Sequence, residues 1–102
     1  LSSLHSLDLY NYRYTPGSLY YKGPLTSLTL GQLPNLKYLQ LGYNELTSLD
    51  VSGCSSLLEL YVYNNDLTSL DVSYNTVLSY LYCFGNASLT CMLTSAKVSP
   101  KE

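Results

Sequence analysis

The chain has 102 residues, 46% of them hydrophobic and only 12% charged, with a formal net charge of −2 and no tryptophan. One domain fits that length, and the lack of any Lys/Arg cluster excludes a phosphate-neutralising nucleic-acid surface. No apolar run approaches the roughly 20 residues a membrane-spanning helix needs.

The chain starts at Leu1 with neither a start Met nor a charged leader, and its first residues already fall in repeat phase, as expected of a segment cut from something longer. Leu4-His-Ser-Leu-Asp-Leu9 alternates apolar and polar residues, the pattern of a short strand with one buried face. Residues 10–24 keep only Leu19 and Tyr21 at strand positions, so that this unit counts one residue short. Gly17 and Gly23 there stand beside Pro16 and Pro24 and read as turn residues. Alternation resumes at Leu25-Thr-Ser-Leu-Thr-Leu30.

From Leu36 onward the chain repeats itself. Leu-Thr-Ser-Leu-Asp-Val-Ser stands at residues 46–52 and again at 67–73, 21 positions apart. The apolar columns are Leu36, Leu57 and Leu78; Leu39, Leu60 and Leu81; and Leu41, Val62 and Cys83. The second half of each unit gives Leu4, Leu25, Leu46 and Leu67; Leu7, Leu28, Leu49 and Leu70; and Leu9, Leu30, Val51 and Val72. Such a period means stacked coils, each burying its apolar side against the next. Strand-like patterning in both halves leaves no room for a convex helix. The expectation is two parallel sheets, or one strong sheet backed by extended segments and bridges.

Asn44, Asn65 and Asn86 form a polar column between the halves. Carboxamides there satisfy backbone groups left unpaired at a corner, and stacked Asn can bond one another. Cys54 and Asn75 hold the corresponding corner after the second half. At the far end Asn86-Ala-Ser-Leu89 carries one extra residue and Cys91-Met-Leu93 breaks the rhythm, which reads as a decaying coil followed by a polar tail from Thr94 to Glu102. Neither end shows a cap. The three cysteines, Cys54, Cys83 and Cys91, lack zinc spacing and are expected to be unpaired and structural.

The pattern Leu-x-x-Leu-x-Leu-x-x-Asn resembles the leucine-rich repeat family. The nested 21-residue form, with Leu-Thr-Ser-Leu-Asp-Val-Ser as its second half, is similar to the short bacterial repeats of Bacteroidetes surface proteins. The match spans about residues 4–9 and 25–86. It implies a mainly β, right-handed solenoid of about four to five coils with parallel strands and few or no helices. Within a single domain, 1–102, the units would run 4–24, 25–45, 46–66 and 67–87, with a degenerate coil and tail over 88–102. It further implies a secreted or cell-surface interaction module, often part of an adhesin-like protein, with no catalytic residues in the repeats.

Residues facing away from the core carry the functional expectation. In the first-half strands these are Tyr38 and Gln40; Glu59, Tyr61 and Tyr63; and Tyr80, Tyr82 and Phe84; Tyr20 is placed one coil earlier. Tyrosine combines contact area, small entropy loss and a polar tip, the combination favoured at binding surfaces. These nine residues are the candidate ligand face, for a protein partner first and a glycan second. The alternative is a self-assembling building block of a fibre or surface layer, joined through coil ends or Tyr faces.

The second halves present Ser6, Ser27, Ser48 and Ser69 beside Asp8, Thr29, Asp50 and Asp71. Two stacked aspartates with serine neighbours make a poor calcium cage, so neither metal nor cofactor is expected. His5, Ser6 and Asp8 lie on one strand without an oxyanion pocket, and no catalytic residue is assigned.

Overall fold

The computed structural model describes residues 3–11, 23, 25–89 and 99–100. Five short strands, β1 (Ser6–Asp8), β2 (Tyr38–Gln40), β3 (Glu59–Tyr61), β4 (Tyr80–Tyr82) and β5 (Ser99–Pro100), form one parallel sheet in chain order. The described residues contain no helix. Parallel neighbours in chain order require the chain to return behind the sheet after every strand, which makes a solenoid. Leu39 pairs with Leu60 and Leu60 with Leu81, so the sequence period is the structural coil.

The core is a stack of leucine layers. Leu36, Leu39, Leu41 and Leu46 of one coil and Leu57, Leu60, Val62 and Leu67 of the next are fully buried. Each such side chain contributes roughly 1.5–3 kcal/mol through burial. One stripe per coil suffices because the neighbouring coils supply the other walls.

The turn leaving each strand is built from two adjacent residues. Tyr43, Asn64 and Gly85 occupy one column and all have positive φ, at 60°, 54° and 78°. That left-handed step swings the following residue inward, and the following residue is in every case the ladder asparagine. Asn65 Nδ2 donates to the carbonyl oxygens of Leu41 (2.8 Å), Val62 and Tyr63 (both 3.2 Å), while its Oδ1 accepts the Leu46 N–H at 3.0 Å. Asn86 repeats the arrangement against Val62, Cys83 and the Leu67 N–H. Each carboxamide thus ties its own coil to the one before, through the main chain. At the opposite corner Asn75 Nδ2 donates to Val51 and Cys54.

The second halves are extended but form no second sheet. Single bonds such as Glu45 N–H to Leu25 O (2.9 Å) and Asp66 N–H to Leu46 O (2.8 Å) join the coils there. The Asp50 carboxylate accepts the Ser52 N–H at 2.9 Å and Asp71 that of Ser73 at 2.8 Å. Leu49 and Leu70 are only half-buried.

Four expectations change. The segment Leu4–Leu9 is a first-half strand, because Leu7 pairs with Leu39 in β2. Leu7 and Leu39 lie 32 positions apart against 21 in the inner coils, and the excess falls between Leu9 and Leu25, since Leu25 O accepts the Glu45 N–H in normal register. Leu19, Tyr20 and Tyr21 lie outside the described residues, yet β1 pairs directly with β2 and leaves no place between them for the strand expected there. The polar tail carries β5, which adds to β4 with Pro100 at the edge of the sheet, where a missing N–H is tolerated. Cys83 is disulfide-bonded, whereas Cys54 is free and buried. Periodicity marks burial and is blind to pairing.

The ladder yields a contrast. Asn44 Nδ2 donates to Leu9, Leu41 and Gly42, but its buried Oδ1 has no partner, since the enlarged first coil does not offer the Leu25 N–H to it. Replacing Asn65 by Ala is expected to cost about 3 kcal/mol, and Asn44→Ala about 1 kcal/mol less. Urea unfolding of the two variants measures the gap; equal losses would mean that the carbonyl contacts alone carry the ladder.

Candidate functional site

The outward residues of β2–β4 and of the turns that follow them form an aromatic ladder. Coil spacing sets its geometry, since parallel strands lie about 4.8 Å apart. Tyr61 and Tyr82, paired in register, have ring centroids 4.7 Å apart at 31°. Tyr63 and Phe84 stack at 5.2 Å and 5°. Tyr38 leans diagonally onto Tyr61 at 5.5 Å and 52°, because the residue directly opposite Tyr61 is Gln40. Such pairs contribute about 0.5–1.5 kcal/mol each beyond area burial.

One position in the ladder is empty of side chain. Gly42 stands in the column of Tyr63 and Phe84, and a Cβ there would meet the Tyr63 ring at 2.6 Å and Gln40 Oε1 at 2.9 Å. The glycine lets Tyr63 lie over the backbone of the preceding coil. Tyr10 and Tyr43 close the gap as edge-to-face neighbours, with Tyr10–Tyr43 at 5.6 Å, Tyr43–Tyr63 at 5.7 Å and Tyr10–Tyr63 at 6.3 Å. A shallow, open groove of about 390 Å³ results, lined by Tyr10, Gln40, Tyr43, Tyr61, Tyr63, Tyr82 and Phe84.

Polar groups fix the rings. The Tyr61 hydroxyl donates to Glu59 Oε1 at 2.5 Å, and the Gly42 N–H donates to Gln40 Oε1 at 2.8 Å. Burial, then the Glu59 carboxylate, holds the Tyr61 phenol well above the ordinary tyrosine range. Burial also raises Tyr63, against the opposing effect of its hydrogen bond with Gln40.

Of the nine expected residues the structure brings Gln40, Tyr61, Tyr63, Tyr82 and Phe84 to the groove, and sets Tyr38, Glu59 and Tyr80 alongside on the same sheet face. Tyr80 is the most open, at 46% exposure. Tyr20 lies outside the described residues. Sequence reasoning missed Tyr10 and Tyr43, and assigned Ser6 and Asp8 to the other face. In the sheet register Ser6 opposes Tyr38 and Asp8 opposes Gln40, so both belong to the aromatic face. A signal existed: Leu9-Tyr10-Asn11 matches Val62-Tyr63-Asn64, whereas the second halves run into Gly31 or Ser.

The Ser/Asp face of the second halves offers less. Ser52 and Ser73, each through hydroxyl and N–H, hold the exposed Asp50 and Asp71 carboxyls below the usual carboxylate value. Among the described residues no three His, Cys, Asp or Glu side chains converge to hold a metal. Asn86 of the Asn86-Ala-Ser88 sequon is a buried ladder residue. A second groove, of about 490 Å³, lies at the enlarged corner of the first coil beside Asp8, Tyr10, Leu25 and Asn44.

No protein-family model and no curated protein matches the chain. Among solved structures it is similar to the functional domain of InlJ from Listeria monocytogenes, a leucine-rich repeat protein whose domain includes a cysteine ladder. The two are 24% identical with a TM-score of 0.62 over 98% of this chain, which spans a quarter (25%) of that one. The architecture is therefore that of a leucine-rich repeat solenoid, mainly β with parallel strands.

The half-buried phenols of Tyr61 and Tyr63 generate a pH prediction. Below the ordinary tyrosine value of 10.0 Tyr61 and Tyr63 are protonated whether the chain is folded or not. Above it the unfolded chain releases these protons first, so unfolding gains from alkali and stability falls as pH rises. The double replacement Tyr61→Phe/Tyr63→Phe is expected to flatten this decline between about pH 10 and about pH 12. Thermal melts across that range check it, and parallel declines in both proteins would show that the two rings are not protected.

Proposed function

We propose that the protein is a non-enzymatic interaction and adhesion module that presents the Tyr-rich sheet face to a protein or glycan partner. The observation that carries the reading is the continuous aromatic ladder: neighbouring side chains on three strands and two turns place aromatic rings side by side on one face of the sheet. Exposed aromatic patches of this kind mark contact sites. The solenoid supports it, since stacked coils present wide, rigid surfaces.

The disulfide at Cys83 fits an oxidising compartment, and with it an extracellular or cell-surface location. No helix among the described residues is long and apolar enough to cross a membrane. The resemblance to short nested bacterial surface repeats points the same way.

A second reading has its own support. Leu4, Leu7, Leu9, Leu25 and Leu30 of the first coil are only half-buried, whereas their counterparts Leu36, Leu39, Leu41, Leu46 and Val51 are buried. A coil end in that state favours stacking against another copy, which would make the protein a structural building block.

Size-exclusion chromatography with light scattering over a wide concentration range separates the two. The interaction module is expected to stay at about chain mass, while mass that climbs with concentration would put assembly first. Replacing Tyr61, Tyr63 and Tyr82 by Ser is then expected to abolish partner binding and leave circular dichroism unchanged. Loss of folding instead would make the ladder structural.

A further inference from the structure

Two properties of the Tyr face select among partners, granted the reading of that face as the binding surface. The first is which part of the rings it offers. Tyr61 lies between Tyr82 and Tyr38, and Tyr63 between Phe84 and the ring edges of Tyr10 and Tyr43. Their faces are occupied by neighbours and their hydroxyls are engaged by Glu59 and Gln40, so ring edges are what remains for a ligand. A sugar stacks by laying its C–H face on an open aromatic face, which the central rings lack. A peptide needs no such platform: it packs along ring edges.

The second property is charge. The described residues include six carboxylates, Asp8, Glu45, Asp50, Glu59, Asp66 and Asp71, against one lysine, Lys37; the other four basic residues lie outside them. Asp8 and Glu59 stand on the aromatic face itself. Asp8 accepts the Tyr10 N–H at 3.0 Å and Glu59 the Tyr61 hydroxyl, and neither is ion-paired among the described residues. Carboxylates beside a desolvating aromatic surface call for cations on the partner.

We infer that the face docks a basic protein segment, an extended chain whose arginine or lysine ends reach Asp8 and Glu59 while its stems lie along the Tyr edges. Asp8 sits two strands and two residues from Glu59 in the register. That is a backbone separation of about 12 Å, the span of about four residues of extended chain. Cations at alternate positions on one side of such a segment match it.

A dye-labelled peptide of alternating Arg and Thr, its Glu/Thr counterpart and cellohexaose, each titrated against the full chain by anisotropy or calorimetry, test the inference. The Arg peptide is expected to bind at least about tenfold more tightly than the Glu peptide and to weaken with salt. Asp8→Asn with Glu59→Gln keeps both internal hydrogen bonds and is expected to cut affinity about tenfold. Asp50→Asn with Asp71→Asn, on the other surface, serves as control and is expected to change it by less than about twofold.

Equal losses in the two double variants would reduce the effect to diffuse acidity and overturn the proposal. So would absence of binding by the Arg peptide, or equal binding of the Glu peptide. The triple Tyr→Ser variant separates this failure from that of the face. Should cellohexaose or the Glu peptide bind wild type and be lost in that variant, the face stands and only the basic partner falls. Arg-peptide binding that survives the triple variant removes the face itself.

Discussion

The structure depends on how a coil turns its corner. Leaving the strand, the chain must reverse while its carbonyl and amide groups point into a dry interior, where an unpaired group costs about 1–3 kcal/mol. A left-handed residue followed by an asparagine solves this in each inner coil, at Tyr43-Asn44, Asn64-Asn65 and Gly85-Asn86. Because each carboxamide also reaches the preceding coil (Asn44 to Leu9, Asn65 to Leu41, Asn86 to Val62), corner and stack are one interaction. Coupling runs from neighbour to neighbour, as in other linear repeat arrays.

The aromatic face follows from that corner. Turning the asparagine inward leaves the residue two positions before it, Gly42, Tyr63 or Phe84, pointing out along the sheet. Coil spacing then brings Tyr63 and Phe84 to 5.2 Å, and the strand residues Tyr61 and Tyr82 to 4.7 Å, close to the stacking distance of aromatic rings. Stability and recognition are not rivals here. Stacking uses the ring faces and rigidifies the rings, so that the edges left over are held in place before any partner arrives.

The period, the leucine layers and the ladder asparagines were legible in the sequence because each demands one residue type at one spacing. The phase of the first coil was not, because Leu-x-x-Leu-x-Leu occurs in both halves of the repeat, and only Tyr10-Asn11 distinguishes Leu4–Leu9 as a strand of the main sheet. Assigning that segment to the wrong half moved Ser6 and Asp8 to the wrong surface and left Tyr10 unread. The missing second sheet lay beyond pattern reading as well. Alternation reports which side is buried and is silent on whether an N–H reaches its neighbour. Tyr43 escaped notice for a related reason, since a tyrosine with positive φ is uncommon and periodicity carries no dihedral information. Cys83 shows the same blindness, because a buried thiol and a buried half-cystine occupy one apolar position alike.

The enlarged first coil shows where such a fold can vary. Eleven residues beyond the period fit between Leu9 and Leu25, yet Leu7 still pairs with Leu39 and Leu25 O still accepts the Glu45 N–H. Closure entropy grows slowly with loop length, so a corner absorbs an insertion that either flank of the coil would not. What the insertion costs is local: Asn44 Oδ1 is left without the N–H that Leu46 and Leu67 supply to Asn65 and Asn86. The same corner borders a groove and carries Asp8 and Tyr10, which end the aromatic face with a carboxylate and an edge-on ring. Variation is thus confined to the rim of the surface, while the ladder behind it holds the remaining rings in register.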